Sequence, residues 1–135
     1  MPTIKEGKRR AIDIPKLNEI LCKDSIIQYH TVVVEDPGHH APSAAGLRSM
    51  TYSYATILTI LRVHQIRHHT VSARTWQKHF WTKQPGEYDT KAEALKAATK
   101  IFPDQSWLKN SRCSKPHDGF VDAALIAEYG RSQNI

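Results

Sequence analysis

The segment that most constrains this chain runs from His117 to Arg131 and reads HDGFVDAALIAEYGR. It is nearly apolar, and Asp118 and Asp122 stand four residues apart, which places both on one face of a helix. The continuation of that face is apolar and should be buried: Leu125, Ile126 and Tyr129. A carboxylate on this face is costly unless it is paired, hydrogen-bonded or bound to a metal. The helix therefore predicts a metal site at Asp122.

The totals fit one domain over residues 1–135, because a chain of this length that is 40% hydrophobic can bury a core. The sequence has no apolar run of about 18 residues, which predicts no membrane span. Its first residues lack an apolar signal core, so we expect an intracellular protein. Cys22 and Cys113 have no metal-binding spacing and are expected to be isolated thiols in a reducing compartment.

The net charge of +6 comes from one segment, Pro37 to Gly86, which contains no Asp or Glu. This segment holds six Lys or Arg residues and six His, among them Arg48, Arg74 and Lys78, whereas the rest of the chain has 13 basic and 13 acidic residues. A positive field over about a third of the chain indicates a polyanionic partner, most simply nucleic acid. The alternative is a solvated basic surface without a partner.

Strands alternate with helices along the chain, which predicts α/β layers with a parallel component. The β-branched run 30–35 predicts a buried central strand, and 69–73 predicts a second short strand. Apolar spacing or a capping box predicts four earlier helices, over 14–23, 47–66, 75–81 and 90–101. Residues 1–12 resemble a strand end or an exposed arm. The pattern predicts a loop over 36–46 and a turn over 84–88. A short helix is expected after Pro103. Two strands are too few for an independent sheet.

Glu35 follows three valines, so it should lie at the carboxyl end of a buried strand, where ligands bind in α/β sheets. With Asp118 and Asp122 it would form a set of three oxygen ligands that suits Mg²⁺ or Mn²⁺. Such a site in a basic groove is typical of two-metal phosphodiester hydrolysis. Two alternatives remain open: Asp118 as a helix N-cap, and Glu35 paired with an arginine.

Histidine and aromatic side chains are two further groups of candidate binding residues. His64 and His68 have the spacing of helical zinc ligands, but no acid follows the first of them and no cysteine lies nearby, so phosphate-facing or solvated histidines are favoured. Tyr52 and Trp81 stand within the basic segment, where an aromatic ring can stack on an unpaired base.

The order of several motifs resembles RuvC-type Holliday-junction resolvases, most closely their phage and prophage branch. The motifs are VVVED, a Gly/Pro/Ser loop, the helix start SMTYSY, then VSARTWQKHF, and finally KPHDGFVDAALIAEYGR. The resemblance extends over essentially the whole chain, including MPTIKEGKRRAIDIPKL at its start.

The resemblance implies an RNase H-like fold, with a mixed five-stranded sheet flanked by helices, in a protein that is usually dimeric. It also implies a Mg²⁺-dependent endonuclease that cuts four-way DNA junctions. By motif, Glu35 corresponds to the strand glutamate of the family, Asp122 to the aspartate of the last helix and Asp118 to the acid before it, with His117 a weaker candidate. The basic residues assigned to nucleic-acid binding are Arg48, Arg74, Lys78, Lys83, Arg112 and Lys115.

The sequence departs from the family at its beginning, because the first strand with its D-x-G aspartate has no counterpart. Asp13 is no substitute, since only 22 residues separate it from Glu35. Three accounts are open: a shortened or mis-started gene product, a split protein completed by another chain, and a relic that binds nucleic acid without cutting it. An exposed sheet edge invites pairing, so we expect a homodimer or a partner chain.

Two principal functions follow as expectations: a junction-resolving endonuclease, and a catalytically inactive module of a nucleoprotein assembly. A third and more remote one is a basic protein-interaction domain. The sequence leaves open whether the nucleic acid is DNA or RNA. It also leaves open which junction sequence is preferred and whether this chain is active without the first-strand aspartate.

Overall fold

The computed structural model describes residues 1–6, 9–23, 30–38, 43–82 and 89–135. These residues form a mixed α/β protein with four strands and five helices. In chain order the elements are β1 (Thr3–Glu6), β2 (Arg9–Ile12), α1 (Ile14–Lys23), β3 (Val32–Asp36), α2 (Ala44–Val63), β4 (His68–Ser72), α3 (Ala73–Phe80), α4 (Thr90–Ile101) and α5 (Asp118–Ser132). The chain divides into two compact units, Met1–Thr70 and Val71–Ile135.

The strands within the described ranges form two sheets of two strands each. The first is an antiparallel hairpin of β1 and β2, with Thr3 opposite Ile12, where the sequence indicated only a strand end or an arm. The second joins β3 to β4, and the backbone N–H of Val32 donates to the carbonyl of Arg67 at 2.9 Å. The prediction that β3 is a central strand is therefore wrong for the described chain, because β3 has a single neighbouring strand.

The core of the first unit forms where α2 covers β3. Val34, Leu58, Leu61 and Ile66 are its buried members, and Leu61 is completely buried. Four partly buried side chains pack against them: Leu21, Val32, Tyr54 and Ile57. The apolar spacing that predicted α2 is buried in the C-terminal half of the helix, at Leu58 and Leu61. Met50, in the N-terminal half, is 41% exposed. These apolar positions are therefore buried only where α2 lies over the core.

The second unit is built on α5, which packs against α4 and α3. Val121, Leu125 and Ile126 of α5 are buried, and Leu125 is completely so. Trp76 of α3 is 1% exposed and makes an edge contact with the Trp81 ring at a centroid distance of 5.8 Å. These side chains hold α5 in place, which in turn determines where Asp118 and Asp122 lie.

Several predicted helix ends move by a few residues because local caps decide them. α1 has the predicted bounds, whereas α2 begins three residues before Leu47, where Ser43 Oγ accepts a hydrogen bond from Gly46 N at 3.0 Å. Asp89 rather than Thr90 caps α4, accepting from Lys91 N at 2.9 Å. The helix expected after Pro103 is absent from the described chain, and the turn expected at 84–88 lies outside the described residues.

None of the helices within the described ranges is both long enough and apolar enough to cross a bilayer.

Candidate functional site

The aspartates singled out in the sequence both lie in the first two turns of α5. His117 is the N-cap residue of this helix without a side-chain capping bond, and Asp118 is its first helical residue. The alternative that Asp118 is the N-cap is therefore wrong. Asp122 is half-buried beside the buried Val121 and near the buried Leu125, as its position on the apolar face predicted.

Asp118 and Asp122 line one cleft of about 500 Å³ in the second unit. The start of α4 forms the opposite wall, and the loop before α5 contributes Lys115 and Pro116. Half of the ten described residues that line it are charged: Asp89, Lys91, Lys115, Asp118 and Asp122. A cleft with both carboxylates and ammonium groups can hold a cation and an anion side by side.

Lys91 makes a direct ion pair with Asp118, with 2.6 Å between Nζ and Oδ2. The two side chains are 74% and 51% exposed, so solvent screens the attraction and the pair contributes little to stability. The hydrogen bond from Lys91 to Asp118, followed by the charge of that aspartate, raises the pKa of Lys91 above its ordinary value. Lys91 is therefore fully charged at neutral pH.

Asp122 differs from Asp118 in its surroundings. Burial raises the pKa of the Asp122 carboxyl above its ordinary value, and the negative charge of Asp118 raises this pKa further. The positive charge of Lys91 acts in the opposite direction but is the weakest of the three effects. The charged form of Asp122 is thus disfavoured where it lies, and a cation next to it would relieve that cost.

The side chains of the cleft can be compared with the ligands that the predicted Mg²⁺ ion needs. Within the described ranges, no group of three or more His, Cys, Asp or Glu side chains is close enough to hold a metal ion. The cleft itself offers two carboxylates, Asp118 and Asp122. Mg²⁺ keeps several waters and is commonly bound through one or two carboxylates together with substrate phosphates. These two carboxylates are therefore of the ligand type, and within the number, that Mg²⁺ uses.

Glu35 belongs to the first unit, where it is the penultimate residue of β3 and is half-buried. It lines a pocket of about 270 Å³ with residues of α2 that include Met50 and Tyr54. Asp36 follows it and accepts a hydrogen bond from Gly38 N at 2.8 Å, where Gly38 has a φ of +66°. This tight turn ends the strand at Asp36, one residue after Glu35.

His117, the weaker candidate, is held by its neighbours. Its ring packs on Phe120 at a centroid distance of 4.5 Å, and its backbone N–H donates to the carbonyl of Trp107 at 2.7 Å. A Cβ added at Gly119 would lie 3.2 Å from Cε1 of the ring, so glycine leaves the room that this packing uses. These contacts fix the His117 ring at the start of α5, where its buried Nδ1 has no hydrogen-bond partner among the described residues.

Five of the six predicted nucleic-acid-binding residues are described and exposed. Arg48 lies in α2 of the first unit, and the others lie in the second unit: Arg74, Lys78, Arg112 and Lys115. Lys83 lies outside the described residues. Of the exposed five, Lys115 lines the aspartate cleft.

Sequence reasoning missed Asp89 and Lys91. The signal for Asp89 was present, because an aspartate immediately before a helix is a preferred N-cap. The capping-box pattern of Thr90 and Glu93 instead predicts Thr90 as the N-cap. No local pattern marks Lys91 as the partner of Asp118, since the two residues lie on different helices. Only the packing of α4 on α5 brings them together.

No protein-family model matches this chain, and no curated protein matches it either. The family resemblance therefore rests on the residue motifs, and the structural basis for a function is the cleft of Asp118 and Asp122.

Proposed function

We propose that this chain is a RuvC-like, RNase H-like protein that hydrolyses phosphodiester bonds of branched DNA with the help of Mg²⁺ or Mn²⁺. The observation that carries the proposal is the shared cleft of Asp118 and Asp122, in which two lysines also take part. Hard carboxylate oxygens beside ammonium groups are the surroundings that a divalent cation and a phosphate need together.

Asp122 has the central role in this proposal. It is half-buried on a helix whose apolar face holds it in position, and burial with the Asp118 charge raises its pKa. Burial favours the neutral form of Asp122, whereas the charge of Asp118 beside it would favour a cation held by these two carboxylates. Bound there, a divalent ion supplies the activation of water and the neutralisation of phosphate charge.

The lysines of the cleft would position the substrate. Lys115 lies at the edge of the cleft just before α5 and is exposed, which suits contact with a backbone phosphate. Lys91 is paired with Asp118 in the structure. If a metal ion were held by this aspartate, Lys91 would be available to contact a substrate phosphate.

Glu35 is the third carboxylate that the motif resemblance implies. In support, Glu35 is the penultimate residue of its strand, and it lines an open pocket of the first unit. The RNase H-like fold is supported by the order β3, α2, β4 and by an antiparallel hairpin ahead of α1.

We further propose that another strand completes the sheet, supplied by a second copy or by another polypeptide. The support is that the described strands form two sheets of only two strands, whose outer edges invite pairing. Light scattering across a range of protein concentrations tests whether a second copy supplies the strand. A molecular mass of one chain at every concentration would exclude a second copy.

One observation favours the second candidate function, a module that binds nucleic acid without cutting it. The Lys91–Asp118 ion pair already neutralises one of the two carboxylates. If that pair persists when DNA binds, the cleft acts as a phosphate-binding surface alone.

A nicking assay on a labelled four-way DNA junction distinguishes the two candidates. The first predicts cleavage that requires Mg²⁺ or Mn²⁺ and that Asp122→Asn abolishes while junction binding remains. Asp104→Asn is the matched control, because Asp104 is an exposed aspartate of the same unit outside the cleft. Metal-independent nicking, or equal nicking by Asp122→Asn and the wild type, would refute the proposed site. Binding without any cleavage would establish the second candidate.

A further inference from the structure

A second groove lies within the second unit, between the end of α3 and one face of α4. Its volume is about 440 Å³, within the range of roughly 300–1,000 Å³ typical of small-ligand sites. α3 contributes His79 and Phe80, and Trp81 follows them. The α4 side is formed by residues three or four positions apart, which share one face of the helix: Glu93, Lys96, Ala97, Lys100 and Ile101.

The groove is basic at its rim. Lys96 and Lys100 are exposed and lie one helical turn apart, so both ammonium groups can reach the same anion. Within the described part of the chain, neither lysine is in an ion pair with a carboxylate. Glu93 is the acidic residue that lines the groove, and it is half-buried.

The other wall of the groove is aromatic. Trp81 is 8% exposed and closes the inner end, while Phe80 is half-buried and presents part of its ring. Both rings are held by Trp76, at centroid distances of 5.8 Å to Trp81 and 6.5 Å to Phe80. His79 is held by Ser132 and Tyr129, because its Nε2 is 3.2 Å from Ser132 Oγ and its ring meets Tyr129 edge-on. The His79 ring also meets the Phe80 ring edge-on, at a centroid distance of 4.9 Å. The aromatic wall is therefore preorganised for a flat ligand.

We infer that this groove binds one unpaired nucleotide of a single strand, with its base against Phe80 and its phosphate on Lys96 and Lys100. A base stacked on an aromatic side chain beside a basic track is the general mode of binding single strands. A half-buried apolar ring next to two exposed lysines complements a nucleotide in both shape and charge. The inference rests on the nucleic-acid part of the proposed function and needs no cleavage.

The experiment measures binding of the full chain to a fluorescein-labelled oligothymidine and to a blunt DNA duplex, both in EDTA. Lys100→Gln and Lys96→Gln should each weaken oligothymidine binding about three- to tenfold, with less than about a twofold effect on the duplex. Lys109→Gln is the matched control, because Lys109 is an exposed lysine of the same unit outside the groove. It should change both affinities less than about twofold.

Stacking is tested separately with Phe80→Leu, which keeps an apolar side chain in the wall. This variant should weaken oligothymidine binding about fivefold or more and leave the duplex affinity unchanged. Far-ultraviolet circular dichroism checks that the variant is folded, and the exposed lysine variants provide the same test without altering the core.

Each result decides a specific point. Equal oligothymidine affinities for Lys96→Gln, Lys100→Gln and Lys109→Gln would overturn the proposed nucleotide binding by the groove, even if the chain still binds a DNA junction. Equal competition by an acidic peptide and by oligothymidine would also overturn it, because the groove would then recognise charge alone. Absence of all nucleic-acid binding would overturn both this inference and the proposed function.

Discussion

Lys91 Nζ lies 2.6 Å from Asp118 Oδ2, so an ammonium group of α4 stands where a cation on the aspartate pair would stand. Asp122 lines the same cleft one turn further along α5. The positive charge of Lys91 thereby offsets part of the repulsion between the two carboxylates. Any metal ion that binds here competes with Lys91, which makes this lysine the most informative residue of the cleft.

Removing the Lys91 charge should strengthen metal binding. Lys91→Gln leaves the Asp118 and Asp122 charges less neutralised, so we expect Mn²⁺ affinity to rise about two- to fivefold, a modest factor because the pair is exposed. Isothermal titration calorimetry with Mn²⁺ measures it. Lys109→Gln, which lies outside the cleft, serves as the control. A lower Mn²⁺ affinity in Lys91→Gln would show that the aspartates are not the ligands.

Asp122 should make stability depend on pH in a defined direction. Burial and the Asp118 charge raise its folded-state pKa above the ordinary value of 3.8. Its stabilising contribution is therefore complete below pH 3.8 and is lost as the pH rises through the folded-state pKa. We expect Asp122→Asn to be slightly more stable than the wild type at pH 7, with the difference vanishing on acidification.

Thermal melts of both proteins between pH 3 and pH 7 check this expectation. Asp104→Asn, at an exposed position, should show no comparable gain. An Asp122→Asn protein that melts below the wild type at pH 7 would mean that the charged carboxylate is stabilised by a contact.

The position of α5 should depend on Leu125. This side chain is completely buried, and shortening it leaves a cavity, so Leu125→Ala should lower the free energy of unfolding by about 2–5 kcal/mol. Leu108→Ala is the same substitution at a residue that is 37% exposed and should cost less than about 1 kcal/mol. Urea denaturation followed by circular dichroism measures both. Equal costs would contradict the placement of Leu125.

Binding to nucleic acid should weaken steeply with salt, because basic side chains release counterions from phosphates. Arg74→Gln is expected to reduce the slope of log K against log salt by about 1, as for the loss of one phosphate contact. Lys16→Gln is the control, since Lys16 is paired with Glu19 at 2.8 Å. Fluorescence polarisation at five salt concentrations gives both slopes. An unchanged slope in Arg74→Gln would remove this residue from the interface.

Local pattern was sufficient for most helices and for the two strands of the β3–β4 sheet. α1 has the predicted bounds because its apolar spacing and its flanking residues agree, and β3 forms where three valines adjoin. The hairpin of β1 and β2 was not foreseen, since its short strands are mainly polar and basic and lack the apolar alternation of a half-buried strand. Cap geometry then shifted α2 and α3 by a few residues.

The sequence by itself determined that Asp118 and Asp122 share a helix face and that Asp122 meets the core, because helical periodicity is a local property. Only the tertiary structure decided that Lys91 pairs with Asp118 and that Lys96 and Lys100 face the Phe80 ring across a groove. These contacts join residues on different helices. Their distances follow from how side chains such as Trp76 and Leu125 pack, which no local spacing encodes.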